Sequence, residues 1–83
     1  MMKEMCMHYK SHLTEEMADI KAYMDMSCEL KKSGNDLEAQ ILKDIAKDES
    51  THAKHLIHIL EKNDYNMEDT ENTLHAMLVE YGL

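Results

Sequence analysis

The chain has 83 residues and a mass of 9.7 kDa, with 17 acidic against 9 basic side chains and a formal charge of −8. Such an acidic composition excludes a general nucleic-acid binder, whose phosphate contacts need Lys and Arg. No apolar run approaches the ~18 residues of a membrane span or reads as a signal-peptide core.

Helical spacing of apolar residues dominates from the start. A first helix is expected from about Lys3 to residue 32, with Leu13, Met17, Ile20, Met24 and Leu30 on its apolar side. Gly34 stops it. Asn35 is placed to cap the next helix, and Glu38 to return the bond as in a capping box. A second helix, about 36–62, carries Leu37, Ile41, Ile45, Leu56 and Ile59, flanked by Leu42, Ala46, Ala53 and Leu60. Asn63 to Asn66 forms a second break, and Asn66 is placed to cap a third helix at about 67–81, with Met67, Leu74, Met77, Leu78 and Tyr81 inward and Gly82 beyond its end. The expected fold is all-α: an antiparallel helical hairpin plus a short C-terminal helix, one domain over 1–83. A domain of this size often needs a metal, a partner subunit or both. Two hairpins docked as a four-helix bundle would cover the apolar stripes that one leaves wet, so a homodimer or higher homo-oligomer is expected.

The stripes are interrupted by ionisable residues. On the second helix Glu49 and His52 fall between Ile45 and Leu56, which places them at the centre of the expected buried side. On the first, Glu16 falls between Leu13 and Ile20. A buried carboxylate without a partner costs several kcal/mol and protonates or finds a cation. Residues i and i+3 project from neighbouring points of a helix face, so Glu49 and His52 can serve one ion. Glu16 would add a carboxylate from the facing helix. Two copies then supply four Glu and two His, the donor set of dinuclear carboxylate centres built in helical bundles.

The run EEMADIKAY, Glu15 to Tyr23, followed by KDESTHAKHL, Lys47 to Leu56, resembles the first half of a rubrerythrin or ferritin-like domain. There a Glu is followed seven residues on by Tyr, as Glu16 is by Tyr23, and later by Glu-x-x-His-Ala, as at Glu49 to Ala53. The likeness spans about Leu13 to Leu60. Since only two long helices are present, the chain is also similar to encapsulated-ferritin-type proteins, in which a hairpin dimerises to assemble the metal site between subunits. The resemblance implies Glu16, Glu49 and His52 as metal ligands. It implies iron at two ions per dimer, with Mn or Zn as substitutes, and ferroxidase or peroxide-handling chemistry. Storage of a mineral would need a shell made by another protein. The CxxC pairs of a rubredoxin-like electron donor are absent from the sequence.

Glu15 is the rival of Glu16. Tyr23 is either core or a hydroxyl bonded to a ligand carboxylate, and His12, with His8, lies on nearly the face of Glu16, as an accessory group or a solvated one. His55, His58, Asp44 and Asp48 read as surface, and His75 has no role. The Met-rich start (Met1, Met2, Met5, Met7) reads as helix packing. Cys6 and Cys28 read as reduced, small buried or interfacial residues in a cytoplasmic protein. The alternative function is a helical dimer braced by Zn or Mn, with a structural or interaction role and no redox chemistry.

Overall fold

Three residues in the left-handed backbone region punctuate the chain: Gly34 (φ 83°), Asp64 (φ 66°) and Gly82 (φ 71°). Each ends a helix. The computed structural model describes residues 3–83 and comprises α1 (Lys3–Lys32), α2 (Asp36–Lys62) and α3 (Glu68–Tyr81). At every C-terminus an amide reaches back five residues. Asn35 donates to Leu30 (2.8 Å), Tyr65 to Leu60 (3.1 Å) and Leu83 to Leu78 (2.8 Å), the pattern of a Schellman turn. Glycine adopts this conformation freely, and aspartate tolerates it better than most residues.

This closure alters the expected start of α2. The Asn35 amide belongs to the end of α1, and its side chain donates to Ser33 Oγ (3.3 Å) rather than accepting from the α2 amides, so the capping box does not form. Asn66 does act as expected: its Oδ1 accepts from the Glu68 amide at 3.0 Å. Glu68, Asp69 and Glu71 place negative charge at the positive end of α3.

Helices α1 and α2 pack antiparallel along a strict seven-residue repeat. Cys6, Leu13, Ile20 and Ser27 are buried on α1, and Ala39, Ala46, Ala53 and Leu60 on α2. A heptad row keeps one seam facing a partner helix over many turns. Ser27 Oγ fixes the register by donating to the Ala39 carbonyl at 2.7 Å. Stepping by sevens from there sets Ile20 opposite Ala46 and Leu13 opposite Ala53. Large residues on α1 thus meet small ones on α2, so the backbones approach closely. Met24 and Ile57 complete the seam.

The apolar side of α2 therefore differs from the expected one. Its inner row is Ala39, Ala46, Ser50, Ala53, Ile57 and Leu60. Leu37 and Ile41 stand 73% and 51% exposed, while Ile45, Leu56 and Ile59 are half-buried. Large aliphatics drew the expected stripe roughly a third of a turn away from the alanines that face α1. Met5 and Met7 are likewise exposed instead of packed, and Cys28 is exposed while Cys6 is buried. Met1 and Met2 lie outside the described residues.

Helix α3 covers one side of the hairpin, burying Met67, Leu74 and Leu78 in the common core. Tyr81 Oη donates to Asp25 Oδ1 (3.4 Å), and Lys10 Nζ sits 4.2 Å from the centre of the Tyr65 ring, tying this side together. By helical phase, Leu37, Ile41, Glu49 and His52 lie on the other side of the hairpin, which α3 leaves uncovered. No helix among the described residues is long and apolar enough to cross a membrane.

Candidate metal centre

Glu16 belongs to the inward face of α1, between Leu13 and Ile20, and is only 7% exposed. The register sets Ser50 opposite it. That hydroxyl is already committed to the Lys47 carbonyl at 2.7 Å, so it gives Glu16 no proton. Glu49 and His52 flank Ser50 on the shoulder of α2. One donor atom from each of Glu16, Glu49 and His52 lies within 4.8 Å of the others, and among the described residues no other group of His, Cys, Asp and Glu side chains converges in this way.

The two oxygens of Glu16 differ. Oε1 accepts from His12 Nε2 at 3.0 Å, one helical turn back. Oε2 is buried and has no hydrogen-bond partner. The His52 Nδ1 atom stands 3.7 Å from it, beyond hydrogen-bond range. Uncompensated burial of a carboxylate oxygen costs free energy. The Glu49 carboxyl is displaced in the direction this crowding requires, from 4.5 up to about 7. The Glu16 carboxylate, towards which a protonated Glu49 can donate, is the largest cause, then burial, then the charges of Glu16 and Asp19, with His52 opposing.

Two carboxylates and an imidazole around an orphaned oxygen suit a divalent first-row cation. Carboxylate oxygen and imidazole nitrogen accept Fe, Mn or Zn, and the positive charge would relieve the repulsion between Glu16 and Glu49. The arrangement thus fits a metal. His52 reaches it from an exposed position, with a side chain 58% accessible, and not from the buried centre of α2 as the sequence suggested. The cause is again the alanine row, which turns Glu49 and His52 to the edge of the α1–α2 seam.

The remaining sequence expectations fall around this group. Glu15 is exposed and outside it. Tyr23 is half-buried, and its hydroxyl makes no hydrogen bond among the described residues; the side chain bonded to Glu16 is His12. His8, His55, His58, His75, Asp44 and Asp48 are exposed. The His12–Glu16 bond was signalled by their four-residue spacing, which brings side chains together on a helix.

The chain is thus a helical hairpin whose seam carries a group of carboxylates and an imidazole that could hold a metal ion. The rubrerythrin family model matches residues 10–79, which includes every residue of the cluster, and the chain belongs to that family. No curated protein and no solved structure matches it.

The Glu49 displacement sets a pH dependence. The folded chain holds this proton more tightly than the unfolded one, so its stabilising effect is complete below about 4.5 and is lost as pH rises through about 7. The groups that face Glu49 are Glu16 and Asp19 from α1 and His52 from its own helix. Urea denaturation of the metal-free chain between these limits should show stability falling with pH, and Glu49→Gln should flatten the profile. A cation displaces the same proton, so its affinity should strengthen over that interval. A wild-type profile parallel to that of Glu49→Gln would remove Glu49 as the source.

Proposed function

We propose that the protein is a homodimer that binds two iron ions between its hairpins and oxidises Fe(II). The observation that carries this reading is the convergence of Glu16, Glu49 and His52 on a buried oxygen with no partner, beside a side of the hairpin where Leu37 and Ile41 stand exposed. Joining two such sides about a two-fold axis covers the aliphatics and brings two donor sets together, giving four carboxylates and two imidazoles. Membership of the rubrerythrin family supports iron as the cation.

In this reading Glu16, Glu49 and His52 of each chain hold the ions, and the carboxylates balance their charge. Fe(II) is the substrate. Each of two ions gives up one electron, and dioxygen takes the pair with two protons and leaves as hydrogen peroxide; with hydrogen peroxide as oxidant the products are Fe(III) and water. The chain's own groups bind and orient the ions. The aliphatic side restricts water once a second copy is seated. The free thiols of Cys6 and Cys28 suit a reducing cytoplasm.

Iron added anaerobically and then exposed to air tests the reading. Fe(III) absorbance should grow much faster than in buffer, and Glu49→Ala should abolish the excess rate. Anomalous scattering from crystals at the iron and zinc edges should place two iron ions about a two-fold axis. Tight Zn binding with no oxygen chemistry would overturn the ferroxidase reading in favour of a metal-braced structural dimer.

A further inference from the structure

Glu16 carries an asymmetry that ligation alone does not require. A buried carboxylate can turn about its terminal torsion, which has broad minima, and either oxygen can then face the cluster. Here the rotation is restrained from one side. His12 Nε2 donates to Oε1 at 3.0 Å, while Oε2, 3.7 Å from His52 Nδ1, has no hydrogen-bond partner. His12 is itself outside the group of converging donors. Its side chain is 52% exposed, so water could serve it equally well, and its position is not needed to satisfy a buried donor. Among the described residues its one polar contact is with Glu16, four residues on, where helix geometry brings side chains together.

We infer that His12 is a positioning residue for a divalent cation: by occupying Oε1 it fixes the Glu16 carboxylate with Oε2 presented to the ion. The inference rests on the reading of Glu16, Glu49 and His52 as ligands. Hydrogen-bond partners of ligating groups set their orientation and basicity, and losing one typically costs about 10–100-fold in metal affinity.

The test is competitive titration of Co(II) and Zn(II) against a chromophoric chelator, using the full chain and two variants, His12→Leu and His12→Gln. His12→Leu should weaken binding by about 10–100-fold, and His12→Gln, whose amide can donate across one turn, should recover most of the loss. X-ray absorption of the Co(II) form should give the same number of imidazole ligands in wild type and His12→Gln. Circular dichroism of the metal-free variants should match wild type. Equal affinity in wild type and His12→Leu overturns the inference while leaving the site intact. A lower imidazole number in His12→Gln overturns it by making His12 a ligand. Failure of the wild-type chain to bind either cation fails the metal-centre reading and the inference with it.

Discussion

Glu16→Leu should raise the stability of the metal-free chain by about 1–3 kcal/mol and abolish cation binding. The stabilising part follows from the orphaned Oε2: a buried acceptor without a partner forfeits roughly that much, and an apolar side chain of similar size removes the demand. Leu also extends the apolar row from Leu13 to Ile20 without a break. The cost is small, since the hydrogen bond lost is that with His12, whose imidazole is half-exposed and returns to water, and the Glu49 carboxyl, relieved of the Glu16 charge, ionises more readily. Urea denaturation in the presence of chelator measures the first effect, and cation titration the second. Opposite signs for stability and binding are the signature of a residue retained for its site at the expense of the fold. A destabilised, still metal-binding variant would sink this account of Glu16.

Paired Leu37→Glu and Ile41→Glu substitutions should convert the proposed dimer to a monomer. Both residues are exposed on the hairpin, so the chain keeps its helices. Burying one large aliphatic side chain is worth about 1.5–3 kcal/mol, and two-fold symmetry makes each substitution act twice. The dimer Kd should therefore weaken by well over about 100-fold, since every 1.4 kcal/mol is a factor of ten. Sedimentation equilibrium reads the association, and dichroism checks the helices. The metal-binding isotherm should also lose the stoichiometry of a shared site, because each chain would then offer only Glu16, Glu49 and His52. A variant that remains dimeric would move the subunit contact elsewhere.

The helices were legible because their signals are local. Gly34 and Gly82 mark stops, Asn66 supplies a real cap, and long steps of three and four leave little room for strands. Asp64 ends α2 with a conformation that no isolated aspartate announces. The three clustered donors were legible too, since carboxylates and a histidine interrupt apolar rows. What did not show was the orientation of α2. Tracking Ile and Leu placed Leu37 and Ile41 inside, although Ala39, Ala46 and Ala53 point inward in register with Leu13, Ile20 and Ser27. Alanine contributes so little to hydrophobic patterning that its seven-residue recurrence is the usable signal. The same displacement explains why His52 is at an edge. The use of His12 was visible only as a spacing, because whether a four-residue pair meets depends on which rotamers the neighbouring packing allows.

The alanine row has a consequence for selectivity. The gap between Glu16 on one helix and Glu49 with His52 on the other is gauged by methyl groups at positions 46 and 53, not by the donors themselves. In the proposed centre the spacing of the two helices that carry the donors is thus set before any ion binds. A bulkier side chain at Ala46 or Ala53 would keep all three proposed donors yet part the helices that carry them, so drift there would change the size of ion the proposed centre prefers.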